Sequence, residues 1–398
     1  MYHSSMSKYS FICSRLAERR SRHLLRGMEP VRPLSGVEIR IHGRRMLNFC
    51  SNDYLGLAWH PLLRQRAMEY MVKYGAGSTA SRLVCGNYDR FEHLENRIAG
   101  LTGKESALIF NSGFQANISM IPALADRETL ILSDWLNHNS IIQGTLLSRC
   151  KVKRFYHNDM THLEDLLRES RGKGFSRILI VTESVFSMDG DICDIDTHVG
   201  LSDEFGALLI VDEAHATGVF GKRGMGLTEE KRVDLAMGTF SKAGGAFGAY
   251  VACDQKIRDY LINFCSGFIY TTALPPSALG AIDASLELIP GMDKERMGLQ
   301  HKADQLRISL KEIGFNTGKS STQIIPVIIG DERETLNLSN WLKDNGVLAM
   351  TFRPPTVGEG EARIRLALSV LHTEKHLDML IELFKEWRRR GEKNKGTC

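Results

Sequence analysis

Short apolar runs that close on polar residues recur through the first two thirds of the chain, at 107–110, 129–133, 178–182, 208–211 and 235–238. Because these runs are apolar with little alternation, they predict strands buried on both faces, the pattern of a mainly parallel sheet. Between them, helical spacing at 90–103, 115–124 and 163–169 predicts crossover helices, and ligands are then expected beyond the carboxyl ends of the strands. After Pro290 the pattern changes. A long polar helix is predicted over 293–313, followed by β-rich runs at 323–329, 348–352 and 363–368 and a closing helix over 374–390 that leads into a charged tail. The expected organisation is an N-terminal helix and extended segment (1–60), a large α/β domain (61–290) and a smaller C-terminal α+β domain (291–398).

Composition narrows this picture. The 398 residues are 43% hydrophobic and 25% charged, as in soluble globular chains, which excludes disordered and collagen-like classes. No apolar run approaches the roughly 18 residues of a bilayer span, so no membrane association is expected. Eight scattered cysteines without a Cys-x-x-Cys pair fit a reducing cytoplasm. Of the formal charge of +4, residues 1–26 carry six basic and one acidic side chain and residues 385–398 six and two, which leaves the body near −5. That distribution removes the composition argument for a nucleic-acid partner. The basic, serine-rich N-terminus fits an organelle transit segment or an amphipathic helix with Phe11, Ile12, Leu16, Leu24 and Leu25 on one face.

The chemistry concentrates where the apolar runs end. Leu208-Leu-Ile-Val-Asp-Glu-Ala-His215 delivers two acids and a histidine at a strand terminus. One reading is the acidic motif of a nucleic-acid-dependent ATPase, which also requires a Gly-x4-Gly-Lys-Ser/Thr loop opening a helix. The nearest candidate, Gly314-Phe-Asn-Thr-Gly-Lys-Ser320, is one residue short, follows the acidic motif and precedes a β-rich run. In the other reading, Asp212 faces a heterocyclic cation and His215 hydrogen-bonds an oxygen on the same ring, as a pyridoxal phosphate enzyme requires. Such an enzyme also needs a lysine, and Lys242 follows Asp212 by thirty residues at the end of the next predicted strand, in Gly238-Thr-Phe-Ser-Lys242. The small residues after it would admit a bulky cofactor, and the Thr239 and Ser241 hydroxyls are candidates for its phosphate. Asn111-Ser-Gly-Phe114 precedes a helix whose free amides can hold a phosphate, although it can also be a simple turn. His138, just past another strand, could stack on the cofactor ring. A lone lysine or histidine in such a place is more often solvated or structural, so the argument rests on the set.

Together these residues resemble the α-oxoamine synthases, fold-type-I pyridoxal phosphate enzymes that condense an amino acid with an acyl thioester and release carbon dioxide. The resemblance spans nearly the whole chain through Asn48-Phe-Cys-Ser-Asn-Asp-Tyr-Leu-Gly-Leu57, Asn111-Ser-Gly-Phe114, Glu183-Ser-Val-Phe-Ser-Met-Asp-Gly-Asp191, Val211-Asp-Glu-Ala-His215 and Thr239-Phe-Ser-Lys242. Three further stretches, Arg154-Phe-Tyr-His-Asn-Asp-Met-Thr-His162, Ile269-Tyr-Thr-Thr-Ala-Leu-Pro-Pro276 and Phe352-Arg-Pro-Pro-Thr-Val357, are most similar to the members that use L-alanine and a pimeloyl thioester. Glycine acetyltransferases and 5-aminolevulinate synthases share the cofactor motifs but differ around the last stretch. The resemblance implies pyridoxal 5'-phosphate held covalently on Lys242, Asp212 on its ring nitrogen, His215 on its ring oxygen and His138 stacked on the ring. It implies Gly113, Phe114, Ser187 and Thr239 as the rest of the cofactor site. For substrates it implies Arg365 on the amino-acid carboxylate, with Arg26, Asn52, His138 and Thr356 as further contacts. A pimeloyl-CoA or pimeloyl-ACP donor, a homodimer in which Thr271 or Thr272 reaches the partner's phosphate, and no metal are the remaining implications.

Overall fold

The computed structural model describes residues 8–22 and 24–395; residues 1–7, His23 and 396–398, with Cys398 and parts of both basic ends, lie outside the described residues. The helix Ser10–Ser21 forms, but it buries none of its residues, so Phe11, Ile12 and Leu16 stay exposed. Where the sequence predicts only an extended segment, β1 (Arg32–Ser35), β2 (Glu38–Ile41) and β3 (Arg44–Asn48) form an antiparallel meander.

The large sheet contains β4 (Ser106–Phe110), β5 (Thr129–Asp134), β6 (Lys151–Phe155), β7 (Arg177–Glu183), β8 (Leu208–Asp212), β9 (Leu235–Thr239) and β10 (Ala249–Cys253), ordered β4-β10-β9-β8-β7-β5-β6. Strands β5 to β9 are parallel to one another, and β10 runs antiparallel between β4 and β9. The apolar runs become β4, β5, β7, β8 and β9. Successive side chains point to opposite faces, so Leu108, Phe110, Met237 and Val251 join one core cluster while Ala107, Ile109, Tyr250 and Ala252 join another. Each fully buried Leu or Ile in these clusters contributes about 1.5–3 kcal/mol relative to exposure. Edge strand β6 escapes the apolar pattern because Lys151, Val152 and Arg154 face solvent. The helices Asp89–Thr102, Gly113–Leu124 and Met160–Ser170 cover the predicted helical runs.

The last quarter adds β11 (Ile324–Gly330), β12 (Val347–Leu348), β13 (Met350–Phe352) and β14 (Ala362–Ala367), with β11-β14-β13 as an antiparallel sheet. The run predicted as one strand at 348–352 is split. Ala349, between the two pieces, has its carbonyl taken by the Ser339 hydroxyl at 2.7 Å, and β12 pairs with β3. Phe49, Tyr54 and Leu57 therefore share one core with Ile325, Ile364, Leu366 and Phe384. Residues 314–320 form a turn between the helix Asp293–Glu312 and β11 and open no helix, so the phosphate-loop reading has no structural support.

Candidate active site

Parallel pairing brings the polar strand ends together. Glu183 and Asp212 are register partners at the ends of β7 and β8, and both are buried. Asp212 accepts the Ala214 amide through Oδ1 and the Asn117 carboxamide through Oδ2, each at 2.8 Å. Glu183 accepts the His138 amide at 2.5 Å; burial first, then the neighbouring Asp212 charge, push its carboxyl well above the usual range. Three residues past β9, Lys242 has no hydrogen bond or ion pair at its amine among the described residues. Burial pulls its amine down to about 8, against the opposing charges of Asp212 and Glu183. The turn after it is pinned by Gly245, whose N–H donates to the Lys242 carbonyl at 3.0 Å with φ +62. A Cβ there would lie 2.5 Å from the Ala58 nitrogen, so only glycine fits.

His215 is buried, and its Nδ1 lies 2.7 Å from the hydroxyl of the fully buried Tyr54. Burial, followed by the cations Lys242 and Arg365, drives its pKa far down. His138 caps the helix Asn139–Leu147, its Nδ1 2.8 Å from the Ser140 hydroxyl, while its ring remains exposed and meets Phe114 edge-on. Gly113 and Phe114 open the helix Gly113–Leu124, capped by Ser112, whose hydroxyl accepts the Gln115 amide. These amides form an N-terminal site of the kind that holds phosphate.

Arg365, buried on β14, completes the group from the opposite side. Its Nε donates to the Ser187 carbonyl at 2.5 Å, both Nη atoms donate to Asn52 Oδ1 at 3.2 and 3.1 Å, and Nη2 reaches the Tyr54 hydroxyl at 3.3 Å. Arg26 and Thr356 meet one another at 3.3 Å on the exposed surface. The Thr239 and Ser241 hydroxyls do not stand free for a phosphate, because both donate to the Gly248 carbonyl, at 2.9 and 3.3 Å, and shape the turn. Thr271 accepts from Asn111 of its own chain at 3.2 Å.

Tyr54, Asn117, Ser140 and Glu183 line or support the cluster without having been singled out from the sequence. Tyr54 and Glu183 lie inside quoted motifs; Asn117 sits one helical turn past Gly113, and its partners are distant in sequence. Beside this group, His157 lies between Asp134 at 3.0 Å and Asp191 at 2.8 Å.

The residues fit pyridoxal 5'-phosphate. A half-buried lysine whose amine has no partner among the described residues, a buried carboxylate with lone pairs to spare, an exposed histidine and a helix N-terminus meet at the strand ends. The sequence profile of the aminotransferase class I and II family matches residues 44–384. A Desulfosudis oleivorans protein provisionally named 8-amino-7-oxononanoate synthase is 56% identical over 384 residues, covering 96% of this chain and 100% of its own. A serine palmitoyltransferase variant from S. paucimobilis, solved with bound PLP–myriocin aldimine, is similar with a TM-score of 0.90 at 25% identity, over 98% of this chain and 99% of that one. For 8-amino-7-oxononanoate synthase from Francisella tularensis the TM-score is 0.75 at 28% identity, over 87% and 99%.

Proposed function

Because this chain belongs to the aminotransferase class I and II family, we infer that it joins L-alanine to a pimeloyl thioester, giving 8-amino-7-oxononanoate, carbon dioxide and the free thiol. The observation that carries the reading is the placement of Lys242 beside Asp212 and Glu183, its amine without a hydrogen-bond partner among the described residues and its pKa lowered by burial to about 8. Pyridoxal 5'-phosphate, the cofactor, supplies an electron sink for negative charge developing at the α-carbon of the amino acid.

Lys242 would hold the cofactor covalently, and its lowered pKa also suits it to take and return the α-proton; a positioned base contributes about 10²–10⁴-fold. Asp212 would keep the ring nitrogen protonated by charge, and His215, oriented by Tyr54, would hydrogen-bond the ring oxygen. Gly113 and Phe114 would receive the phosphate at the helix N-terminus, with Thr239 shaping the wall and Ser187 fixing Arg365 through its carbonyl. Arg365 would orient the alanine carboxylate through a two-pronged contact, with Asn52 giving way or sharing the guanidinium. His138 would cover the ring, and Arg26 and Thr356 would contact the acyl substrate at the surface.

We place the enzyme in the cytoplasm as a homodimer, with Thr271 or Thr272 completing the partner's phosphate site. Exposed apolar side chains at Leu83, Val84, Phe114, Phe247 and Tyr270 support a covered face. No helix among the described residues is long and apolar enough to cross a membrane. The TM-score of 0.90 to serine palmitoyltransferase makes serine with a long acyl thioester the second reading. Thiol release from alanine, glycine and serine, each paired with acetyl, succinyl, pimeloyl and palmitoyl thioesters, separates the two. The highest kcat/KM is expected for alanine with pimeloyl; a clear preference for serine with palmitoyl would reverse the choice.

A further inference from the structure

His138 is tied to Asp212 through two buried side chains. Asn117, on the helix Gly113–Leu124, directs one carboxamide N–H to Asp212 Oδ2 at 2.8 Å and the other to Ser140 Oγ at 2.9 Å. An ionised carboxylate only accepts, which fixes the amide with its nitrogen toward Asp212. Ser140 Oγ, having accepted from Asn117, has its one proton left for His138 Nδ1 at 2.8 Å. The Ser140 backbone N–H, which can only donate, points to the same Nδ1 at 3.2 Å. Two donors converge on Nδ1, and neither can reverse without breaking a buried bond.

We propose that Asn117 and Ser140 are positioning residues that keep the proton of His138 on Nε2, so that its imidazole meets the substrate as a neutral hydrogen-bond donor and leaves proton abstraction to Lys242. The directional chain runs from Asn117 to Ser140 to His138, and its far end is anchored on Asp212, so the group expected on the ring nitrogen and the group expected on the ring face share one support. The exposed outer edge of His138 then offers Nε2–H to an oxygen of the acyl substrate. That target rests on the proposed function; the tautomer does not. The charged and titratable groups around His138 are Asp212, Glu183, Lys242 and His215. Partial burial of the ring, followed in the same direction by Lys242, lowers its pKa against the pull of Asp212. A bond donated to Nδ1 stabilises the neutral ring, so its removal raises the pKa.

The test uses cofactor-loaded protein with ¹⁵N-labelled histidine rings, the His138 signals being those lost in His138→Asn. Wild type is expected to show an unprotonated Nδ1 and a protonated Nε2. Ser140→Ala, a substitution tolerated in a first helical turn, is expected to raise the His138 pKa by roughly half to one unit. The acid limb of kcat/KM for the thioester should move up with it, while KM for alanine stays within about twofold. In Asn117→Asp the new carboxyl group, sharing one proton with Asp212, would accept the Ser140 hydroxyl through its other oxygen and draw it away from His138, and the pKa should again rise. A proton found on Nδ1 in wild type overturns the proposal. So does a Ser140→Ala protein whose His138 titrates as in wild type, or whose activity falls equally at every pH. The ring signals are read without substrate, so a wrong substrate assignment leaves them intact.

Discussion

Two groups of ionisable side chains stand at the carboxyl ends of the large sheet, separated by β7, and they treat their cations in opposite ways. Beyond β5 and β6, His157 donates one ring nitrogen to Asp134 and the other to Asp191, at 3.0 and 2.8 Å. Burial works against its charge, but the two carboxylates outweigh it and raise the imidazole to about 10. Asp134 is further satisfied by the Leu136 and Asn158 amides, and Asp191 by the Asn158 carboxamide. Beyond β8 and β9 the same residue types end differently: Lys242 lacks a hydrogen-bond partner among the described residues and is pulled to about 8, and burial drives His215 far down. The first group pairs its cation on both ring nitrogens, although Asp191 Oδ1 and Asn158 Oδ1 stay buried without a partner among the described residues, and it clamps the loop that carries His138 to the loop that carries Ser187. The second leaves its lysine amine without a partner among the described residues, and an unpaired cation with a lowered pKa between two carboxylates marks the place where a ligand finishes the structure.

The comparison can be broken from either side. The largest effect is expected for Lys242→Ala, with thiol release falling at least about 10³-fold and cofactor absorbance disappearing on dialysis; retained covalent cofactor would refute the assignment of the lysine. Next is Arg365→Lys, which keeps the charge and loses the fork. KM for alanine should rise about ten- to a hundredfold with a smaller change in kcat, as read from initial rates against alanine concentration. An unchanged KM would place the carboxylate elsewhere. His157→Gln should change activity least and stability most visibly with pH. The folded pKa of about 10 lies above the unfolded value, near 6.5, so the stabilisation is full below pH 6.5 and is lost as pH rises toward 10. The melting-temperature gap between wild type and His157→Gln should therefore be widest at pH 6 and narrow steadily by pH 10, whereas a constant gap would mean that the imidazolium is not what clamps the loops.

The sequence discloses the second group better than the first. Asp212, His215 and Lys242 each end an apolar run or follow one closely, so their position beyond a buried strand can be read from local pattern. His157 follows β6, whose exposed Lys151, Val152 and Arg154 hide it from an apolar search, and β10 is a short Ala-Tyr-Val-Ala-Cys segment behind a glycine-rich turn. Asn117 and Ser140 carry no signal of their own, because the bond from Asn117 to Asp212 spans 95 residues of chain. The Thr239 and Ser241 hydroxyls, which the sequence offers as candidates for a phosphate, both donate to the Gly248 carbonyl, a partner that no local pattern announces.

What the sequence alone determines here is the alternation of buried strands and helices and the delivery of acids, a lysine and histidines to one end of those strands, since hydrophobic period and strand polarity are local properties. Which of these groups are neutralised and which are left wanting was decided only by the tertiary structure. Hydrogen-bond partnership and burial depend on the approach of segments far apart in the chain, and those two quantities raise His157 and lower Lys242.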